Sequence, residues 1–370
     1  MSARFLTVVL ERAFNMRDGF GREIDYMRIS VIDSCNLNCY YCNPCDNNEH
    51  CHALNILSVK EVLCIVRAAT RLGIKHFRLT GGEPLLHPQR DEMVLQIKKI
   101  PGVSSVSLTT NAVLLAQHAK WLKEAGIDSI NVSLDTIDAS EYERITKKPL
   151  LEEVKHGINA AIECGIRVKI NVVLTPQTDV VALTRYVAKK GTDIRFIEMM
   201  PVGEGHTNGV EPYKKVIGTL SKLYGEPCRI NTEKTKEINS GNDKRKIPDN
   251  GPAEYYIFPE LGIRVGLIQA IHGKFCDTCN RIRVTADGRL MPCLGSSVTM
   301  DLVPDSWDFA DDVEKDFAIV RALRAAIKAK PRCHNFNDNA VTYTKTTETK
   351  TTEIEAAEVN AARNMSRIGG

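Results

Sequence analysis

The chain has 370 residues, of which 43% are apolar and 26% charged, and its formal net charge is +3. This length is enough for one large domain or two smaller ones, and the nearly balanced charge argues against a general nucleic-acid or membrane-surface binder. No apolar run reaches the length of a membrane span. The short apolar run 5–10 does not continue into a signal-peptide core, so we expect a cytoplasmic protein. Twelve cysteines in a reducing compartment favour metal binding over a disulfide framework.

Strand and helix patterns alternate through the first half of the chain, after a polar lead-in over 1–25. Strands are predicted at 26–32, 74–79, 103–109, 127–134, 166–174 and 192–199. Helices are predicted near 58–72, 90–99, 114–124, 151–163 and 179–189. Ser58 with Glu61 three residues later predicts a capping box at the start of the first helix. The alternation predicts stacked βαβ units around a parallel sheet, either an open doubly wound layer or a barrel.

The pattern changes after about residue 200. A helix is predicted at 211–224, and a polar stretch follows over 229–253. Strand-like segments follow near 254–258 and 262–268, and an amphipathic helix is predicted over 312–330. Beyond residue 339 the chain becomes rich in Thr and Glu, which is typical of a low-complexity segment.

Three cysteines follow the first predicted strand. Cys35, Cys39 and Cys42 have the spacing C-x3-C-x2-C, and Tyr41 directly precedes the third. Three thiolates in one loop can hold a 4Fe–4S cube and leave one iron free to bind a small molecule. The alternative is a structural zinc site, whose remaining ligand would come from Cys45, Cys51, His50 or His52. Structural zinc sites usually pair their ligands in two separate knuckles, so the spacing favours the cube.

Polar motifs end three neighbouring strands of the predicted sheet: Gly81-Gly82-Glu83-Pro84, Thr109-Thr110-Asn111 and Ser133-Leu134-Asp135. The carboxyl ends of parallel strands lie at one edge of a sheet, so we expect these motifs and the cysteines to face one cavity. The glycine pair favours a close backbone approach to the amine and carboxylate of a ligand, with Glu83 as an acceptor. A simple turn is the alternative.

A second set of three cysteines, Cys276, Cys279 and Cys293, has the spacing C-x2-C-x13-C. This set also predicts a metal site with an open position, and a zinc ribbon without its fourth ligand is the alternative. Arg281 and Arg283 alternate along a predicted strand, so both guanidinium groups lie on one face. Such a pair suits a phosphate-bearing substrate, whereas a solvated strand face is the plainer interpretation.

The chain ends in Gly369-Gly370, for which three interpretations are open. The first is a ubiquitin-like tail that is activated at its carboxylate, which the large size of the chain disfavours. The second is a segment without side chains that enters a narrow cavity. The third is ordinary terminal disorder.

Taken together, these motifs resemble the GTP 3′,8-cyclases of molybdenum-cofactor biosynthesis (the molybdenum cofactor biosynthesis protein A family), within the radical S-adenosylmethionine superfamily. The first cysteines with Tyr41 resemble the superfamily motif, and the second cysteines, the Arg pair and the Gly-Gly end narrow the resemblance to this family. It extends from about residue 21 to residue 370. It implies an α/β fold: an incomplete (βα)6 TIM-like barrel over 26–210, a C-terminal iron–sulfur region over 211–338, and a low-complexity segment with the Gly-Gly tail over 339–370.

The resemblance also implies a lyase with two 4Fe–4S clusters and S-adenosylmethionine as cofactors. A 5′-deoxyadenosyl radical would take the ribose 3′ hydrogen of GTP, and the product would be (8S)-3′,8-cyclo-7,8-dihydroguanosine 5′-triphosphate. The implied partners are an electron donor such as flavodoxin or ferredoxin, a downstream cyclic pyranopterin monophosphate synthase and a second copy in a homodimer. No nucleic acid and no membrane are expected.

The resemblance further assigns residues to each role. The cluster ligands would be Cys35, Cys39 and Cys42 at the first site and Cys276, Cys279 and Cys293 at the second. The contacts to S-adenosylmethionine would be Tyr41, Gly82, Ser133 and Met200. The contacts to GTP would be Arg28, Arg78, Thr109, Lys169, Arg281, Ile282 and Arg283. Catalytic roles would fall to Arg281, Arg283, Gly369 and Gly370, with the tail reaching into the active site.

Two positions depart from the family, since Ser34 stands where Arg is common and Asn43 where Met is usual. Two other functions stay open at this point. One is a radical maturase that acts on a peptide, although such enzymes usually have more C-terminal cysteines and need no Gly-Gly end. The other is a non-enzymatic α/β binding protein that zinc stabilises.

Overall fold

The structure is a computed structural model, and it describes residues 16–42, 55–202, 209–230, 251–296, 299–302, 312–334 and 336. Several sequence predictions therefore lie outside the described residues. They concern the tail 339–370 with its Gly-Gly end, most of the polar stretch 229–253, and the candidate zinc ligands between 43 and 54.

The first half of the described chain alternates between strands and helices, as predicted. The strands are β1 (Tyr26–Ser30), β2 (His76–Thr80), β3 (Ser105–Thr110), β4 (Ser129–Ser133), β5 (Val168–Val173) and β6 (Asp193–Ile197). The helices are α1 (Val59–Arg71), α2 (Arg90–Lys98), α3 (Leu115–Glu124), α4 (Ala139–Thr146), α5 (Leu151–Glu163) and α6 (Val180–Lys189). The capping box at Ser58 and Glu61 is present.

Helix α4 was not predicted, although its N-terminus carries a recognisable signal. Asp138 precedes the helix, and its carboxylate accepts a hydrogen bond from the Glu141 N–H at 2.8 Å. An Asp in this position satisfies one of the amide groups that the first helical turn leaves without a partner. The helix is only 8 residues long, so its apolar periodicity is too brief to be recognised from the sequence.

The C-terminal region supplies shorter elements. The predicted helix 211–224 is a π-helical turn (Tyr213–Ile217) that continues into α7 (Gly218–Tyr224). The strands are β7 (Cys228–Arg229), β8 (Glu254–Ile257), β9 (Arg264–Ile268), β10 (Arg281–Val284), β11 (Arg289–Met291) and β12 (Met300–Asp301). A long helix, α8 (Asp312–Lys328), follows and packs against α1.

The twelve strands of the described residues form one sheet, in the order β12-β11-β10-β1-β2-β3-β4-β5-β6-β9-β8-β7. Strands β1 to β6 are parallel to one another, and β10 and β9 extend this parallel part at its two edges. Beyond them β10 pairs with antiparallel β11, and β9 pairs with antiparallel β8. Strands β9 and β10 are not neighbours in this order, so the sheet is open. The prediction of an incomplete TIM-like barrel is confirmed, and the C-terminal region adds a parallel strand to each edge.

The hydrophobic core lies between the helices and the outer face of this sheet. Met27, Ile29 and Phe77 are fully buried there, and Val106 and Ile130 continue the same layer on β3 and β4. Side chains alternate between the two faces of a strand, so the residues between these apolar positions point to the opposite, inner face. That inner face is polar on most strands, which is unusual for a packed barrel interior and indicates a binding cavity.

Candidate active site

One cavity of about 350 Å³ occupies the inside of the incomplete barrel, and all eight parallel strands contribute to its lining. The inner positions of β4, β5 and β6 place Asn131, Asn171 and Arg195 in its wall. The motifs at the carboxyl ends of the strands lie at its rim, including Gly82, Asn111, Ser133 and Asp135. The prediction that these motifs and the first set of cysteines face one cavity is confirmed.

The first cysteine group (Cys35, Cys39 and Cys42) lines this cavity. The unpredicted helix α4 positions its loop, because the carbonyls of Thr146 and Ile145 accept hydrogen bonds from the N–H groups of Asn38 and Tyr40 at 3.0 and 3.1 Å. Burial raises the pKa of Cys35 and of Cys42 to about 12. Thiols in such surroundings become thiolates only beside a strong positive charge, which a bound iron cluster supplies.

The second cysteine group (Cys276, Cys279 and Cys293) lines the same cavity from its other end. Strand β10 begins at Arg281, shortly after Cys279, and Arg281 lies opposite Tyr26, the first residue of β1. The first cysteine group instead follows the last residue of β1. Because β1 and β10 are parallel, the two groups lie at opposite ends of this strand pair, with the inner side chains of both strands between them.

The donor sets of the two cysteine groups fit two clusters. Each group presents three cysteines to one cavity. Three thiolates can hold three irons of a cube and leave the fourth iron open to a small molecule, whereas a structural zinc ion takes four protein ligands.

Three arginines lie side by side on the inner face between the cysteine groups. Arg28 on β1 is in register with Arg78 on β2 and with Arg283 on β10. Burial and the charge of Arg283 lower the pKa of Arg28 well below its usual value. Burial and the neighbouring Arg281 lower the pKa of Arg283 to about 10. Like charges directly opposite one another repel, so this end of the cavity favours a multiply charged anion.

Basic side chains outnumber carboxylates on the described part of the cavity wall. Asp135 accepts a hydrogen bond from the Tyr41 hydroxyl at 2.5 Å and from the Val173 N–H at 2.7 Å. Glu198 accepts hydrogen bonds from the N–H groups of Ile271 and His272. Both carboxylates are thus engaged in holding loops, and they are the only acidic residues among the described residues that line the cavity. The net charge of the described wall is therefore positive.

Tyr26 was missed by the sequence analysis although it lies among the arginines. Its hydroxyl accepts a hydrogen bond from Nε of Arg78, and the guanidinium carbon of Arg281 lies 5.7 Å from the centre of its ring. Stacking and hydrogen bonding of this kind hold guanidinium groups in a fixed orientation. The alternation of Tyr26 with Arg28 on β1 was the available signal, since both side chains point to the inner face.

The glycine motif has a structural explanation that the sequence did not reveal. A Cβ atom on Gly82 would lie 2.1 Å from the carbonyl oxygen of Ser34, so the close backbone approach is to the cysteine loop. The Glu83 carboxylate accepts hydrogen bonds from the Thr110 hydroxyl at 2.7 Å and from the N–H groups of Asn111 and Leu85 at 2.8 and 3.0 Å. Glu83 therefore joins the ends of β2 and β3, and burial raises its pKa to about 7.

Most of the other predicted site residues lie together in the cavity. Those in its lining are Arg28, Tyr41, Arg78, Gly82, Thr109, Ser133, Met200, Arg281 and Arg283. Lys169 is buried on β5, one inner position before Asn171, and is not among the described residues of the lining. The side chain of Ile282 lies in the hydrophobic core, so only its backbone faces the arginines. Gly369 and Gly370 lie outside the described residues.

Comparisons with known proteins agree with this geometry. Residues 29–182 match the model of the radical SAM superfamily, and residues 192–336 match the model described as molybdenum cofactor synthesis C. A GTP 3′,8-cyclase from Clostridium perfringens (strain SM101 / Type A) is 35% identical over 324 residues, which cover 87% of this chain and 95% of that protein. The chain belongs to the GTP 3′,8-cyclase family. A second member, from Listeria monocytogenes serovar 1/2a, is 36% identical over 323 residues, covering 86% of this chain and 92% of that protein.

Solved structures show that this member of the GTP 3′,8-cyclase family has the radical SAM fold. Streptococcus suis SuiB bound to S-adenosylmethionine has a TM-score of 0.54 and 14% identity, covering 82% of this chain and 68% of that chain. Native anSMEcpe with bound AdoMet has a TM-score of 0.51 and 18% identity, covering 82% and 84%. At 14% and 18% identity, these two structures indicate a shared fold and nothing about a shared activity. In the described ranges no helix is both long and apolar enough to cross a bilayer.

Proposed function

We propose that the chain is a radical S-adenosylmethionine enzyme that cyclises GTP to (8S)-3′,8-cyclo-7,8-dihydroguanosine 5′-triphosphate, the first step of molybdenum cofactor biosynthesis. The observation that carries the proposal is the row of arginines, half-buried at Arg28 and Arg78 and buried at Arg283, between two cysteine groups in one cavity. A radical generator at one end and a substrate-binding cluster at the other leave space between them for a nucleotide. The curated relatives named GTP 3′,8-cyclase support GTP as that nucleotide.

The two cysteine groups would hold the two clusters. When bound, the first cluster and S-adenosylmethionine would supply a 5′-deoxyadenosyl radical for abstraction of the 3′ hydrogen of GTP. The protein's part is to bind, orient and exclude water, which is where most of the catalytic gain in such chemistry arises. Tyr41, Gly82 and Ser133 would contact S-adenosylmethionine near the first group, and Met200 would contact it from elsewhere in the lining of the same cavity.

The arginines would hold the triphosphate. Arg28, Arg78, Arg281 and Arg283 present planar, multiply donating groups to the cavity, and such groups bind phosphate oxygens in pairs of hydrogen bonds. Their mutual repulsion falls when the anion binds, so the binding energy includes relief of an unfavourable state in the free protein. Thr109 and the backbone at Ile282 would add contacts, and Lys169 would have to reach the nucleotide from deeper in the barrel.

The remaining assignments are also proposals. Gly369 and Gly370 would enter the active site beside the arginines. Flavodoxin or ferredoxin would supply the electron, and a cyclic pyranopterin monophosphate synthase would receive the product. The enzyme would act in the cytoplasm as a homodimer. The barrel over 26–210 would hold the first cluster, and the iron–sulfur region over 211–338 would hold the second.

Binding of GTP to the anaerobically purified protein tests the role of the arginines. Arg281→Ala and Arg283→Ala should each weaken GTP binding by about 10- to 100-fold, since a hydrogen bond to a charged group contributes roughly 1.5–3 kcal/mol, while iron content stays unchanged. Arg289→Ala is the matched control, because Arg289 is an exposed arginine on the adjacent strand β11. Unchanged GTP affinity would contradict the assignment, and loss of iron would show that the arginines are structural.

The dependence of S-adenosylmethionine cleavage on GTP separates this function from peptide maturation. The reduced protein should form 5′-deoxyadenosine faster with GTP than without it. An equal rate in both reactions would contradict GTP as the substrate. Zinc instead of iron in the purified protein would contradict both radical functions.

A further inference from the structure

A buried lysine contacts both chain segments that carry the second cysteine group. Lys330 follows α8, and only 3% of its surface is exposed. Its ammonium donates hydrogen bonds to the carbonyl of Arg281 at 2.7 Å and to the carbonyl of Pro292 at 2.8 Å. Arg281 follows closely after Cys279, and Pro292 directly precedes Cys293. One side chain therefore fixes the positions of two of the three cysteines relative to each other.

The segment that carries Lys330 is itself held in place by Arg22. The guanidinium group of Arg22 donates hydrogen bonds to the carbonyls of Pro331 at 2.6 Å and Arg332 at 2.9 Å, and also to the carbonyl of Cys276 at 2.7 Å. The Asp18 carboxylate accepts from Nε of the same arginine. The third cysteine is thus tied to the segment that positions the other two.

The buried positive charge of Lys330 needs a nearby anion. Burying an ammonium group is costly unless an anion compensates it. Among the described residues its partners are two neutral carbonyls and the thiol of Cys279. Thiolates that bind a metal cluster would supply the anion that this ammonium needs.

The two cysteine groups differ in their electrostatic surroundings. The first group lies near the carboxyl groups of the buried Glu83 and the half-buried Asp135, whereas the second lies near Lys330 and Arg281. Reduction of a cluster by one electron adds one negative charge. Nearby cations stabilise that charge and nearby carboxylates oppose it, and net charge and hydrogen bonds to sulfur set the potential of such centres.

We propose that Lys330 is the positioning residue of the second cluster: it fixes the spacing of Cys279 and Cys293, and its ammonium raises the reduction potential of the cluster that they hold. The proposal rests on the proposed function, because it requires a cluster at this site. It goes further by naming a residue outside the ligand set that controls both assembly and reduction.

The test uses the full chain with Cys35, Cys39 and Cys42 replaced by Ala, so that the second site alone binds iron. This parent should hold about four irons per chain, the content of one cube. An iron-free parent would overturn the second cluster itself, and this inference with it. In this background we compare Lys330→Met, Lys330→Gln and Lys330→Arg with the control Lys328→Met, which removes the exposed lysine at the end of α8, two residues before Lys330.

Iron content and the midpoint potential, from dithionite titration followed by electron paramagnetic resonance, are the readouts. Lys330→Met should lose at least half of the iron, because both hydrogen bonds and the charge are removed. Lys330→Gln keeps donors without the charge, so its cluster should be reduced at a more negative potential. Lys330→Arg should restore both properties towards those of the parent. Circular dichroism checks that each variant folds. If Lys330→Met does not fold, the comparison of Lys330→Gln with the parent is the deciding test. Met and Gln variants that match Lys328→Met in iron and potential would overturn the proposal.

Discussion

The contact between the glycine motif and the cysteine loop makes Gly82→Ala a sharp test of how the first site is built. The new Cβ would lie 2.1 Å from the Ser34 oxygen and 2.6 Å from the Asp33 oxygen, whereas ordinary contact begins near 3.4 Å. Both obstacles are backbone atoms, so the loop itself must move by about an ångström. The Ser34 carbonyl also accepts a hydrogen bond from the Glu83 N–H at 2.8 Å, which this movement would break.

Two effects should lower the free energy of unfolding of Gly82→Ala. Overpacking of this kind destabilises proteins by about 1–3 kcal/mol, and loss of the hydrogen bond adds about 1 kcal/mol, so we expect a loss of about 2–4 kcal/mol in the free energy of unfolding. Cys35 is the next residue after Ser34. The same movement should therefore displace the first thiolate and reduce iron binding at the first site, independently of any contact between Gly82 and S-adenosylmethionine.

Two measurements are needed. Denaturant unfolding of the iron-free protein gives the stability change. Iron analysis, with Cys276, Cys279 and Cys293 replaced by Ala, reports the first site alone. Gly218→Ala is the matched control, because no atom lies within 4 Å of its added Cβ and Ala at a helical position stabilises by up to about 1 kcal/mol. A Gly82→Ala variant with the stability and iron content of the parent would refute this account of the motif.

Two further predictions concern Glu83 and the tail. Burial raises the pKa of Glu83 from 4.5 to about 7, so the protonated form stabilises the fold at low pH, and roughly 3 kcal/mol should be lost as the pH rises through this interval. Glu83→Gln should lack this part of the pH dependence when the iron-free protein is unfolded with denaturant at several pH values. If the free energy of unfolding changed equally with pH in both proteins, burial of Glu83 would not be the cause. Deletion of Gly369 and Gly370 should abolish cyclisation but preserve S-adenosylmethionine binding, measured by equilibrium dialysis; full activity without them would exclude a role for the tail.

The sequence was sufficient for those parts of the fold that depend on local patterns. The alternation of strands and helices, the capping box at Ser58 and the single face shared by Arg281 and Arg283 follow from side-chain periodicity and hydrogen bonding within a few residues. The positions of β9 and β10 at the edges of the barrel could not be predicted in this way, because the strands that they pair with lie far away in the chain. The register of Tyr26 with Arg281 joins residues more than two hundred positions apart, and no local signal predicts it.

The same distinction separates the predicted from the unpredicted parts of the site. Both cysteine groups were found because thiol spacing is a local property of the chain. Glu83 was expected to meet a ligand, but its partners Thr110 and Asn111 become visible only once β2 and β3 are paired. Lys330 gave no sequence signal, since a lysine at the end of a helix normally lies in solvent. Its burial results from the packing of α8 against α1 and β11.

Transfer of deuterium from GTP to 5′-deoxyadenosine shows whether the cavity directs a radical to the ribose of GTP. The reduced, iron-loaded protein is incubated with S-adenosylmethionine and GTP that carries deuterium at the 3′ carbon, and the 5′-deoxyadenosine is analysed by mass spectrometry. We expect the 5′-deoxyadenosine to gain this deuterium and the cyclised nucleotide to form with it. Unlabelled 5′-deoxyadenosine, formed at the same rate with and without GTP, would contradict it.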